Sequence, residues 1–132
     1  MSIMHYPSMQ ELADTDTMNA SWWASVARSL DEFDEQLTSD RAADCGPGGA
    51  LIDAVTRQPS LANDASRLQD DHDRLVERAR RLRQLVATVA GDDRMAAPVA
   101  AQLATLVGAH ERYRRRVRSL LWDSFVRDLG GE

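Results

Sequence analysis

A single cysteine, Cys45, excludes any disulfide within this chain of 132 residues, and cysteine so scarce fits a reducing cytoplasm. Nowhere do eighteen apolar residues run together, and the N-terminus has no cationic segment followed by an apolar one. Neither a membrane span nor classical export is therefore expected. Lysine is absent: all sixteen basic residues are arginine, a habit of GC-rich coding, set against twenty-one acids. The resulting charge of −5 speaks against general nucleic-acid binding, because neutralising phosphates requires a cationic surface. Period-two alternation and internal repeats are missing, and so are a glycine-rich phosphate loop and a Ser/His/Asp grouping. Cys45-Gly46-Pro47-Gly48 lacks the second cysteine that thiol–disulfide exchange needs. No enzymatic activity, and no cofactor, is expected on these grounds.

What the chain does have is helical periodicity. Leu61, Ala65, Leu68, His72, Leu75, Ala79, Leu82, Val86 and Val89 alternate by four and three residues, the stripe of a helix laid along another helix. Ala96, Val99, Leu103, Leu106, His110, Tyr113, Val117, Leu120 and Ser124 do the same. From about Met18 to Asp44 a third stripe runs through Trp23, Val26, Leu30, Phe33 and Leu37, ending at Gly46-Pro47-Gly48-Gly49. Ala50 to Arg57 suits one brief helix, and Pro59-Ser60 a helix start. Residues 1–17 read as a flexible arm, with Ser8-x-x-Glu11 as a capping box. The expected fold is all-α: an antiparallel bundle of three long helices plus one short one, in a single domain over 18–132.

Each of the two later stripes contains one histidine, and His72 and His110 are equidistant from Gly91. Folding back at Gly91 as a hairpin would set the two imidazoles face to face, as neutral core histidines satisfied by each other, by Tyr113 or by water. If the last helix starts nearer Met95, with Pro98 in its first turn, the register drifts by up to about one pitch, ~5 Å. On the first helix, Leu30 or Phe33 is expected at the level of the histidines, and Asp40 and Asp44 nearer the connection.

Asp71-His72-Asp73-Arg74-Leu75 followed by His110-Glu111 resembles the hemerythrin-like family, the HHE cation-binding domains, over roughly residues 61–125. The resemblance implies a helical bundle and maps His72 and His110 onto the family's first two metal ligands. Arg114 stands where the pattern calls for a carboxylate, and no other residue maps onto the remaining ligands. A di-iron centre needs a larger set of inward His and carboxylate side chains. The ligand set is thus eroded, and an iron-binding oxygen or redox sensor using His72 and His110 is the alternative reading.

The charge is unevenly spread. Residues 1–56 hold ten acids and two arginines, and residues 57–132 fourteen arginines and eleven acids. Arg112, Arg114, Arg115, Arg116 and Arg118 form a basic run suited to an acidic partner, with Asp31, Glu32, Asp34 and Glu35 of this or another subunit as candidates. Beyond it the apolar residues occupy two helix faces where a hairpin covers one. Trp122, Phe125, Val126 and Leu129, together with Trp22, are expected to form an association surface, unless the short helix at Leu51 to Val55 folds over it. The expectation is a cytoplasmic, non-catalytic binding or regulatory module that self-associates as a homodimer.

Overall fold

The structure, a computed structural model, describes residues 8–14, 20–46 and 48–129; the side chains of residues 14, 20 and 127–129 lie outside that description. All regular structure among the described residues is helical: α1 (Met9–Asp14), α2 (Ala20–Cys45), α3 (Ala50–Arg57), a 3-10 turn at Pro59–Leu61, α4 (Ala62–Val89) and α5 (Asp93–Leu129). The protein is an all-α helical bundle whose three long helices are α2, α4 and α5.

The chain divides into two compact units, each taken over its described residues. One combines Met1–Asp34 with Glu77–Gly108, the other Glu35–Val76 with Ala109–Glu132. In the first unit Trp22, Trp23, Val26 and Leu30 are buried, as are Ala79, Leu82, Val86, Ala96, Val99 and Leu103. In the second the buried set is Leu37, Leu51, Ala54, Leu61, Ala65, Leu68, His72, Leu75, Tyr113, Val117, Leu120 and Ser124. Every one of these long-helix positions except Trp22 belongs to a heptad stripe, so the spacing of the apolar residues decides which face of each helix is dry.

Part of the expected arm is ordered. The Glu11 N–H donates to Ser8 Oγ at 3.2 Å and the Leu12 N–H to the Ser8 carbonyl at 3.0 Å, so Ser8 caps α1. Residues 1–7 and 15–17 of that arm lie outside the described residues. Trp22 requires a correction as a surface residue. It is 4% exposed, and its indole N–H donates to the Leu12 carbonyl at 3.2 Å. Its ring meets Trp23 edge-on, with centroids 4.9 Å apart. The cover assigned to a partner comes instead from α1 of the same chain.

Two glycine turns set the connections. Gly48 (φ +73°) follows α2, and Gly91 (φ +90°) joins α4 to α5, both in the left-handed region that only glycine enters freely. Asp92 caps α5: its Oδ1 accepts the Arg94 N–H at 3.1 Å and its carbonyl the Met95 N–H at 2.9 Å. Pro98 lies in the second turn of α5, and the helix runs on through it from Asp93 to Leu129. Pro59 starts the 3-10 turn ahead of α4 with Gln58, not Ser60, in the cap position.

Candidate functional site

The polar side chains of the second unit gather where α2, α4 and α5 meet. His72, on the buried stripe of α4, has no exposed surface, and its Nε2 lies 2.8 Å from the Leu37 carbonyl oxygen. A carbonyl only accepts, so Nε2 carries the proton and Nδ1 is the bare nitrogen. Nδ1 is buried without a hydrogen-bond partner. The ring packed against His72 is Tyr113, with centroids 5.5 Å apart and planes inclined at 63°.

The ring on His72 is thus Tyr113, one of its expected partners and one turn beyond the equidistant His110, and each imidazole has a polar neighbour on α2. His110 Nε2 lies 3.6 Å from Asp40 Oδ2, too far for a good hydrogen bond. The physical reason is the lean of helical side chains toward their own N-terminus. On α4 that lean points away from the Gly91 turn and on α5 toward it, so an α4 residue meets an α5 residue farther from the turn than itself. The Asp71–Arg116 ion pair, 3.1 Å, follows the same offset.

On α2, the Leu37 carbonyl stands beside His72, and Asp40, expected nearer the connection, stands beside His110. The α3 helix and the 3-10 turn carry the chain on past the end of α2 before α4 starts, so α4 begins beyond that end. Arg41 pairing with Asp73 marks the same level.

Burial, reinforced by Arg114, lowers the His110 pKa against an opposing pull from Asp40. Burial and the neighbouring Asp40 raise the Asp44 pKa, with His72 and Arg114 opposing. The Cys45 thiol is likewise pushed up by burial and then by Asp44, the reverse of what an activated nucleophile requires. Tyr113 is raised above its ordinary value by burial first and then by the neighbouring Cys45, Asp44 and Asp40, its hydroxyl lying buried beside the Cys45 thiol. Among the described residues no group of three or more His, Cys, Asp or Glu side chains is placed to hold a metal ion. With Nε2 of His72 bonded to a carbonyl and Nδ1 enclosed, the donors present do not fit an iron centre.

The outer face of α5 is different in character. Of the five arginines in the 112–118 run, only Arg116 makes an ion pair among the described residues, with Asp71. Two of the four anticipated acidic partners, Asp31 and Asp34, pair instead with Arg83 at 2.7 and 3.5 Å. A groove of about 620 Å3 has Leu61, Leu68 and Leu120 in its lining and Arg67, Arg112, Arg115 and Arg116 among its charged walls, together with Asp64, Asp71 and Asp123. A smaller one, about 360 Å3, is bordered by Arg115, Arg118, Trp122 and Asp123.

Farther along α5, Trp122 is 69% exposed, Phe125 52% and Val126 47%. Leu129 falls outside the described side chains. The α3 helix covers only part of this end: its Leu51 and Ala54 are buried, and Arg57 donates to Ser124 Oγ at 3.1 Å. The Arg57 guanidinium also stacks on the Phe125 ring, 4.6 Å from its centroid. Ile52, on the other side of α3, is exposed. Arg57 was not singled out from the sequence, whereas Asp40 and Asp44 were read as continuing the α2 stripe past Leu37 but were placed nearer the connection than the histidines. Comparison with protein-family models, with curated proteins and with solved structures finds no match for this chain.

Proposed function

We propose that this chain is a non-catalytic helical binding module that associates with a second copy of itself. Its core resembles a hemerythrin-like domain with an eroded ligand set. The observation that carries this reading is the exposed row Trp122, Phe125 and Val126 on α5. Large aromatic side chains of this kind are enriched in the buried centres of interfaces, and contiguous apolar patches on soluble chains mark interaction sites. The α3 helix buries Leu51 and Ala54 and stacks Arg57 on Phe125, and Trp122 and Val126 stay exposed among the described residues. The basic run beside the row supplies a charged rim for acids of the partner copy.

Sedimentation equilibrium of the full chain is expected to give twice its 14.7 kDa mass, and a Trp122→Ser, Phe125→Ser double variant the monomer mass. A wild-type chain that stays monomeric at concentrations of hundreds of micromolar would overturn the reading. Metal analysis of protein purified without chelator belongs beside it: stoichiometric iron would move the function to a sensor built on His72 and His110.

A further inference from the structure

We infer that the groove between the start of α4 and the later half of α5 is a site for a small phosphate monoester, with the phosphate on Arg112 and Arg115 and its apolar substituent over Leu68 and Leu120. Nothing in this depends on self-association, because Trp122, Phe125 and Val126 take no part in the lining.

Shape comes first. The groove measures about 620 Å3, within the range of about 300–1,000 Å3 typical of sites for small organic ligands. Arg112, Arg115, Arg116 and Ser119 follow one another at three, one and three residues, so they share one face of α5, and Arg67 stands across the groove on α4. Leu68 and Leu120 reach the groove from the core, and the methylene stems of the arginines extend that apolar surface.

Charge selects the ligand. Each acid in the lining is either engaged or distant. Asp71 accepts from Arg74 on one oxygen and from Arg116 on the other, both at 3.1 Å, and Asp64 has Arg67 at 3.8 Å. Asp123 is eight residues from Arg115, about 12 Å along the helix, which exceeds the Debye length of about 8 Å at physiological salt. Glu111, the acid next to the basic run, is not part of the lining. Arg112 and Arg115 have no ion pair among the described residues, so two positive charges stay uncompensated on one wall. A phosphate monoester carries about −1.5 to −2 at pH 7 and offers three acceptor oxygens, which matches two guanidiniums. A carboxylate would leave one of them unneutralised. The planar fork of each guanidinium donates paired N–H bonds to phosphate oxygens, and Arg116, held by Asp71, borders the same position.

Titration calorimetry of the full chain with phenyl phosphate tests the assignment. The expected result is one site per chain with a dissociation constant below about 1 mM. Inorganic phosphate lacks the apolar group and benzoate the second charge, and each is expected to bind at least about tenfold more weakly. The Arg112→Gln, Arg115→Gln double variant should weaken phenyl phosphate at least about tenfold, since it loses hydrogen bonds to a charged group. Arg118→Gln removes a charge from the same run but outside the groove, and should weaken it less than about twofold by screening. These positions are exposed, and circular dichroism checks that helical content is kept. Absence of saturation by about 10 mM phenyl phosphate would overturn the assignment. Equal weakening by Arg118→Gln and by the double variant would also overturn it, as diffuse attraction to the basic run. Inorganic phosphate or benzoate binding as tightly as phenyl phosphate would remove the apolar contact or the dianion respectively, and with it the ligand class. The variants leave Trp122, Phe125 and Val126 in place, so the mass in solution reports on self-association separately.

Discussion

His72 is a polar side chain held where the stripe of α4 otherwise places leucine and alanine, and its shape is worth more to the fold than its hydrogen bond. The Leu37 carbonyl it reaches lies inside α2 and retains the N–H four residues on as its intrahelical donor. His72→Leu is therefore expected to change unfolding free energy by less than about 1 kcal/mol, because it also removes the enclosed Nδ1. His72→Ala leaves a void and is expected to cost about 2–4 kcal/mol, both read from urea unfolding. His110 behaves differently, because its pKa is lowered in the fold. The unfolded chain binds this proton first as pH falls, so stability declines from about pH 6.5 downward through the lower folded value. His110→Gln is expected to flatten that decline between pH 7.5 and 5.5. An unchanged slope would mean that other groups set the acid response. That both histidines lie on packed stripes was legible from their spacing. Their neighbours were legible only in part, because which residue of α5 or α2 reaches an imidazole depends on side-chain lean and on how far the chain travels through α3, neither of which is encoded in one helix's period.

The three long helices were readable because each repeats one instruction every seven residues, and an error at one position is corrected by the next. Connections have no such redundancy. Met9–Asp14 becomes a helix by the capping of Ser8, and Leu12 gains cover by accepting the Trp22 indole, a contact across ten residues that no local pattern announces. The α4–α5 connection depends on Gly91, whose φ of +90° penalises any side chain although nothing lies within 4 Å of the position a Cβ would take. The cost of Gly91→Ala is thus conformational, not steric, and is expected to be about 1–2 kcal/mol in urea or thermal unfolding. Gly91→Asn should cost less, since asparagine enters the left-handed region more easily. Equal destabilisation by both would mean that the turn is sensitive to something other than φ.

For the whole molecule, the decisive question is whether the row on α5 contributes to stability within one chain or only between chains. Trp22 and Trp122 both looked like surplus aromatic surface in the sequence. One is covered by α1, whereas the other keeps 69% of its surface open, and hydrophobicity alone does not separate them. Mass action does. If two copies associate, the melting temperature of the wild-type chain must rise with its concentration. At a hundred times the dissociation constant the gain is about 2–3 kcal/mol, by the relation that holds for any ligand binding only the folded state. In a chain of this length such a gain corresponds to several °C. Trp122→Ser removes the centre of the row but little that is packed inside the chain. At high dilution it should melt within about 0.5 kcal/mol of wild type, as exposed substitutions do, and its melting temperature should not move with concentration. Calorimetry from about 1 to 100 times the dissociation constant measures both limits. If Trp122→Ser instead melted lower than wild type by the same margin at every dilution, the tryptophan would belong to the chain's own core, and self-association would lose the observation on which it rests.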